Sequence, residues 1–247
     1  MTERATPTIS IITATYNAAE HLPRLIESLI AQTDQDFEWV VADGGSTDGT
    51  LEILEKAKLQ LKKVVVDSRP DFGIYDALNR GVKILNGDYY LVLGADDQLL
   101  EYAIEKFKNT STKRDFDLLS FRYFVGNRVA GVRKPSWEFL FSQFAYVSGH
   151  AVGLLIRSSL HKKIGLYSRR FPIAADQYFI LSAIHAGAKV YSSDIVVGRF
   201  ALGGFSHNDV IGALTESYRI NLSFGCNIFI QTILLVIRII KNSIRKK

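Results

Sequence analysis

Five aspartates stand where apolar runs of the sequence end: Asp43 after FEWVVA, Asp67 and Asp71 after KKVVV, and the adjacent pair Asp96 and Asp97 after YYLVLGA. Two neighbouring carboxylates repel, and each raises the other's pKa unless a positive charge neutralises them. A hard divalent cation, Mg2+ or Mn2+, meets that need, because it takes carboxylate oxygens and completes its shell with water and phosphate oxygens. Asp96 and Asp97 are therefore candidates for a cation and diphosphate site. On spacing alone a plainer role competes: a helix N-cap and a solvated acid, since Asp97 stands just before a possible helix start.

A second chemical element lies in VADGGSTDGT, residues 41–50. Its glycines permit tight turns with exposed backbone N–H groups, Asp43 can accept from a base N–H, and Ser46 and Asp48 can fix the loop. A glycine-rich turn between a strand and a helix is a natural nucleotide cradle. It is neither a Walker loop, since no Gly-Lys-Ser/Thr follows, nor GxGxxG.

These residues need a scaffold that brings strand ends to one rim. Residues 8–15, TISIITAT, predict a buried strand, and residues 20–31 carry Leu22, Leu25, Ile26, Leu29 and Ile30 at helical spacing. Strands follow at 37–42, 64–67 and 89–93, alternating with helices at 47–58, where Thr47 can serve as N-cap, and 74–85. This βαβαβαβ order argues for a mostly parallel sheet covered on both faces, with ligands at the carboxyl ends of its strands. Later the rhythm changes: a helix at 101–108, hairpin-like material at 117–132, a strand at 152–156, a helix at 176–187 and a strand at 190–197. RFALGGFSHND, residues 199–209, reads as a glycine-rich loop.

The chain has 247 residues, 47% hydrophobic and 22% charged, which describes a globular protein with a sizeable core. Its net charge of +5 equals the five basic residues Arg238, Lys241, Arg245, Lys246 and Lys247 near the end, so no broad basic face for nucleic acid is expected. The single cysteine, Cys226, reads as structural, and MTERATPTIS lacks the layout of a secretory signal; a cytoplasmic, reducing compartment is expected. Residues 227–247 are strongly apolar, but only about fourteen residues separate Ile228 from the next dense basic cluster, short of the roughly twenty that span a bilayer. Wound as a helix, they put Gln231, Arg238, Asn242 and Arg245 on one stripe, with Ile230, Ile233, Leu234, Ile237, Ile240 and Ile244 opposite. That is the layout of a helix in a membrane interface, with Lys246 and Lys247 drawn to anionic headgroups. The alternatives are a helix docked on the protein's own core or a homo-oligomer contact.

PTISIITATYNAAEHLPRLIESLIAQ, WVVADGGSTDGT and DFGIYDALNRGVKILNGDYYLVLGADD, taken in order, resemble the nucleotide-binding half of the inverting family 2 glycosyltransferases. FPIAADQYFILSAIHAGAKVY is similar to that family's segment carrying the general base. The resemblance implies a GT-A, Rossmann-like α/β fold with a mostly parallel central sheet and flanking helices in a catalytic domain, residues 1–206. A C-terminal helical extension, 207–247, would follow it.

Position by position, the resemblance implies that Thr15 and Tyr16 line a nucleotide pocket and that Asp43 reads the uracil edge. Asn17, Gly44, Ser46, Asp48, Asp76 and Asp96 complete the nucleotide-binding set. The resemblance also implies that Asp97 is the direct ligand of Mn2+ or Mg2+. The family often has an acid where this chain has Gly94, which leaves one fewer oxygen ligand. Asp176 falls at the base that takes a proton from the acceptor hydroxyl; without the resemblance it reads as a helix N-terminal acid favoured by the dipole. The loop 199–209 is the lid candidate, from which Arg199 and His207 could meet the diphosphate, with a surface histidine the plainer reading of His207. Arg69 could position sugar or diphosphate or form a surface ion pair. His150 could face the acceptor or be structural.

The implied activity is inverting transfer from a nucleotide sugar, UDP-linked, to a hydroxyl of a glycan or lipid-linked acceptor in surface polysaccharide biosynthesis, at the inner leaflet. A non-catalytic sugar-nucleotide-binding or membrane-associated assembly protein is the second reading, supported by Gly94. A nucleotidyltransferase would need a basic phosphate-activating motif near the first turn, which TATYNAAEH does not supply.

Overall fold

The computed structural model describes residues 8–113, 115–131, 137–201 and 209–245. The first half alternates as its pattern predicts: β1 (Ile9–Thr15), α1 (Leu22–Ile30), β2 (Glu38–Asp43), α2 (Thr50–Lys58), β3 (Val64–Ser68), α3 (Ile74–Ile84) and β4 (Tyr89–Val92). Its strands pair in parallel in the order β3-β2-β1-β4. There follow β5 (Gln98–Leu99), α4 (Ala103–Lys113), β6 (Leu118–Val125), β7 (Arg128–Ala130), α5 (Glu138–Phe141) and β8 (Leu154–Arg157). The chain continues through α6 (Leu160–Ile164), α7 (Ala175–His185), β9 (Val190–Phe200), α8 (Val210–Ser223) and α9 (Ile228–Arg245).

The later strands extend the same sheet as β4-β8-β6-β9-β5, with β7 hairpinned onto β6. Here the sheet is mixed: β8 runs antiparallel to β4 and β6, β9 runs parallel to β6, and β5 antiparallel to β9.

Side chains on a strand alternate between faces, so a doubly covered sheet makes two cores. Ile9, Ile11, Trp39, Val41, Tyr89 and Leu91 pack on one side with α1, α2 and α4. Ile12, Val40, Tyr90 and Val92 pack on the other with Leu78 of α3, Phe179 of α7 and Ile220 of α8. Gly81 lets α3 settle against β1, since a Cβ there would meet Ile12 Cγ2 at 2.6 Å.

Three expectations are corrected. Helix α2 begins at Thr50 behind Gly49, whose φ of 94° suits glycine, so Thr47 is not its N-cap. After Asp97 the chain enters β5 and the next helix starts only at Ala103, which removes the N-cap reading of Asp97. Arg199 and Phe200 belong to β9 rather than to a loop.

Helix α9 is amphipathic as its sequence predicts, but its polar stripe faces the protein. Gln231 is 1% exposed and donates to the Phe139 carbonyl at 2.7 Å, and Arg238 donates to the Leu140 carbonyl at 2.6 Å. Ile233, Ile237, Ile240 and Ile244 stand exposed on the outside. Among the described residues, no helix is long and apolar enough to cross a membrane.

Candidate functional site

The parallel register sets Thr15 beside Asp43 and Asp43 beside Ser68 at the carboxyl ends of β1, β2 and β3. Asp43 uses both neighbours: its carboxylate accepts from the Thr15 hydroxyl at 2.9 Å and the Ser68 hydroxyl at 2.7 Å. It also accepts from the Ser46 hydroxyl at 2.5 Å and from the N–H groups of Gly45 and Ser46, each at 3.0 Å. Burial works to raise the Asp43 pKa, but the bonds from Ser46, Ser68 and Thr15 outweigh it and hold the carboxyl below its usual value. Asp43 is fully buried, so it organises the glycine loop from beneath and presents no surface to a base.

The loop is stitched to the segment after β1. Asn17 N–H donates to Ser46 Oγ at 2.8 Å, Thr47 N–H donates to Asn17 Oδ1 at 2.9 Å, and Ala19 N–H donates to Asp48 at 3.0 Å. Hydrogen bonds, first from the Thr50 hydroxyl and then from the Ala19 and Thr50 N–H groups, lower the Asp48 pKa against burial. A Cβ at Gly44 would stand 3.0 Å from an Asp71 oxygen and 3.3 Å from the Tyr16 ring, so this turn leaves its backbone and the Asp71 carboxylate side by side. The Tyr16 ring is 69% exposed beside them.

Sequence reasoning missed Arg80, which ties these strand ends together. Its guanidinium, 8% exposed, donates to the Asp43 carbonyl at 2.8 Å and to Asp71 at 3.1 Å, and reaches Asp67 at 3.4 Å. The available signal was an arginine on the buried face of an amphipathic helix, following three acids at strand ends. Arg69 forms the surface ion pair instead, 3.2 Å from Asp67 with its side chain 63% exposed. Asp76 pairs with Arg169 at 2.6 Å and does not line the cleft described next.

A cleft of about 710 Å³ gathers Tyr16, Asn17, Asp96, Asp97, His150 and Asp176. Asp97 is 1% exposed; it accepts from Gly94 N–H at 2.8 Å and from Ala201 N–H at 2.9 Å. Burial pushes its pKa up to about 7, those two bonds pull it down, and the neighbouring Asp96 charge adds to the rise. Among the described residues neither Asp96 nor Asp97 has a cationic partner. Gly94 has a local reason: a Cβ there would meet Asp96 Oδ1 and Asp97 Oδ2, each at 2.8 Å. Among the described residues, no cluster of three or more histidine, cysteine, aspartate or glutamate side chains is arranged around a metal position.

Asp176 sits in the first turn of α7 and accepts from the Tyr75 hydroxyl of α3 at 2.7 Å. The segment leading into α7 is held by Glu216 of α8, which accepts from Ile173 N–H at 3.0 Å and Ala174 N–H at 2.8 Å. Tyr75 and Glu216 were also missed; the hint for Glu216 was that it is the one acid of α8. The Arg199 guanidinium stacks 4.6 Å from the Phe124 ring centre and does not line the cleft. His207 and most of the expected lid, residues 202–208, lie outside the described residues.

Several known proteins are similar to this chain in sequence or in fold. The chain is 46% identical over 98 residues to a PGL/p-HBAD biosynthesis glycosyltransferase of Mycobacterium bovis, covering 39% of this chain and 38% of that relative's length. It is 31% identical over 187 residues to an uncharacterized glycosyltransferase of Mycobacterium tuberculosis, covering 72% of this chain and 69% of the relative. In fold it is similar to Staphylococcus aureus TarS residues 1–349, solved in complex with UDP-GlcNAc, with a TM-score of 0.70 at 22% identity over 92% of this chain and 70% of that one. A mannosyltransferase from Pyrobaculum calidifontis, solved with GDP-Man and Mn2+, gives 0.66 at 18% identity over 88% of this chain and 64% of that one. The likeness to GT-A enzymes accounts for the layered α/β sheet, and the family model for glycosyl transferase family 2 matches residues 10–178, so the chain belongs to that family.

Proposed function

We propose that this protein transfers a sugar from a nucleotide sugar, UDP-linked, to a hydroxyl of a glycan or lipid-linked acceptor, with inversion, in surface polysaccharide biosynthesis. The reading rests on one observation: Asp176 from α7 and the Asp96–Asp97 pair after β4 line the same cleft. Asp176 takes the proton of the attacking hydroxyl, and attack opposite the departing diphosphate inverts the anomeric carbon. A base so placed contributes about 10²–10⁴ in rate. Tyr16 offers an exposed ring at the nucleotide end, and Asp43, Ser46 and Asp48 keep the glycine loop in shape beneath it.

The acid pair fits a divalent cation, Mn2+ or Mg2+. Asp97 is a buried carboxylate, without a cationic partner among the described residues and beside a second acid, the environment that a hard ion with phosphate and water ligands relieves. Asp97 and Asp96 would hold it, and it would neutralise charge on the diphosphate. The UDP-GlcNAc and the GDP-Man with Mn2+ in the two similar structures support the donor class. The name of the mycobacterial relative supports a glycolipid or glycan product.

The outward apolar face of α9, with Lys241 beside it, suits the surface of an anionic membrane and would hold the cleft near a lipid-linked acceptor. The catalytic reading is tested by UDP release from a panel of UDP-sugars with mixed glycan and lipid-linked acceptors. Turnover is expected in the wild type and reduced about 10²–10⁴-fold in Asp176→Asn, with UDP binding retained. Wild-type inactivity across the panel together with intact UDP binding would favour a non-catalytic assembly role.

A further inference from the structure

A hydrogen-bond chain runs from the cleft into the core. His150 Nε2 lies 2.8 Å from the Tyr167 hydroxyl, which lies 2.7 Å from the Tyr90 hydroxyl. Tyr90 in turn lies 2.7 Å from His161 Nε2, and His161 Nδ1 lies 2.9 Å from the Gly165 carbonyl oxygen. The last group decides the order of protons along the whole chain. A carbonyl oxygen only accepts, so His161 Nδ1 carries hydrogen.

Burial pushes the His161 pKa down to about 4, so near neutral pH the ring holds one proton and its Nε2 is an acceptor. Tyr90 therefore donates to His161. The Tyr90 oxygen accepts from Tyr167, whose only O–H is thereby used. The Tyr167 oxygen accepts from His150, which must carry its proton on Nε2. Burial raises the pKa of both tyrosines, so both stay protonated donors.

His150 is thus fixed as the Nε2–H tautomer, and its Nδ1 is a bare acceptor. Among the described residues, the buried side-chain atoms without a partner are Arg80 Nε, Arg122 Nε and Gln143 Oε1. Among the described residues His150 Nδ1 has no hydrogen-bond partner, and His150 lines the cleft together with Asp176. Val152, two residues on, has φ of 63°, a left-handed conformation that is strained for a β-branched residue.

We propose that His150 Nδ1 accepts a hydrogen bond from a second hydroxyl of the acceptor, while the first hydroxyl faces Asp176. The acceptor class that this selects is a sugar or other polyol, in preference to a molecule with a single hydroxyl. Tyr167, Tyr90 and His161 are positioning residues, since they act by holding the His150 tautomer. This inference rests on the glycosyl-transfer reading for the identity of the bound hydroxyls, but the tautomer stands apart from it.

Long-range 1H–15N spectra of the full chain labelled on histidine nitrogen, at pH 7.5 without ligand, test the tautomer. His150 is expected to show the Nε2–H pattern, and Tyr167→Phe to mix the two tautomers. An Nδ1–H pattern in the wild type overturns the proposal. Transfer from UDP-GlcNAc and the other UDP-sugars to octyl glucoside, octyl galactoside and octyl mannoside then tests the acceptor role. His150→Leu is expected to raise the KM for the octyl glycoside about tenfold, the size of one hydrogen bond, with the donor KM held. His150→Asn, whose Oδ1 can replace Nδ1, should recover most of the loss. An unchanged acceptor KM in His150→Leu sinks the acceptor role alone, because the wild type still transfers. A wild type that keeps the Nε2–H tautomer but consumes no donor sinks the glycosyl-transfer reading and the acceptor role with it.

Discussion

The hydroxyl of Tyr75 on α3 donates to Oδ1 of Asp176 on α7 at 2.7 Å and reaches the Ile173 carbonyl at 3.0 Å. Burial, and then the Asp176 charge, raise the Tyr75 pKa well above the usual phenol value, which keeps the hydroxyl a donor. Tyr75 therefore sets the direction in which Asp176 points. Hydrogen bonds to charged groups are worth about 1.5–3 kcal/mol, so Tyr75→Phe is expected to lower kcat about tenfold or more while sparing the donor KM. In an Asp176→Asn background the same change should cost less than about twofold, because the partner is already altered. Equal losses in both backgrounds would assign Tyr75 to packing alone.

Arg80 makes a second prediction, about stability. It is buried against Asp71 and the Asp43 carbonyl, and removing one partner of a buried pair strands the others. Arg80→Met is expected to lose about 3 kcal/mol in urea unfolding. Arg80→Lys should recover only part of this, since a single ammonium cannot reproduce the fork that reaches three oxygen groups. Arg69→Ala, which removes an exposed pair with Asp67, should change stability by less than about 1 kcal/mol.

This contrast shows what was legible in the sequence. Residues 8–93 announce their strands and helices because β-branched runs and helical spacing alternate without interruption, and the strand ends then carry the acids to one rim. Asp96, Asp97 and Asp176 were legible as a site only through the family resemblance, because by themselves they read as a cap, a solvated acid and a helix N-terminal acid; all three line the cleft. Orientation was not legible. Asp43 looked like a reader of a base, but its register with Thr15 and Ser68, a property of paired strands, turns it into an internal clamp. Tyr75, Arg80 and Glu216 act through partners far along the chain, from helices whose local pattern only signals burial. The mixed half of the sheet was also hidden, because β8 and β9 pair with β6 across distances that no local period records.

The buried histidines make stability depend on pH. His161 has its pKa pushed down to about 4 by burial, against an ordinary value near 6.5, and His150 is shifted the same way. Between those values the unfolded chain binds protons that the folded chain refuses, so stability is complete above about pH 6.5 and falls as pH drops toward 4. For His161 the full loss is on the order of 3 kcal/mol. Asp97, whose pKa burial pushes up to about 7, contributes with the opposite sign over the same range, so the histidine part is read as the difference between wild type and His161→Gln in urea unfolding at steps from pH 7.5 to 4.5. The wild type is expected to lose stability relative to His161→Gln as pH falls, and a constant difference across that range would mean that His161 is not buried as a neutral group.

The last prediction concerns the outward face of α9. An apolar helix face normally packs inward, yet here Gln231 and Arg238 hold the helix to the carbonyls of Phe139 and Leu140 and leave Ile233, Ile237, Ile240 and Ile244 outside. Substituting those isoleucines should therefore leave the docked side untouched. With vesicles of phosphatidylethanolamine and phosphatidylglycerol, the wild type is expected to cosediment, and Ile233→Ser with Ile237→Ser and Ile240→Ser to stay in the supernatant. The same variant should unfold at unchanged urea concentration, because it gives up no internal contact with the α5 carbonyls. Salt should weaken wild-type binding only in part, since apolar insertion persists when the attraction of the basic residues to anionic lipid is screened. Cosedimentation that survives the triple substitution would reject the membrane role of this face. A wild type that avoids vesicles but sediments as a dimer, with the triple variant monomeric, would assign the face to a second copy of the chain.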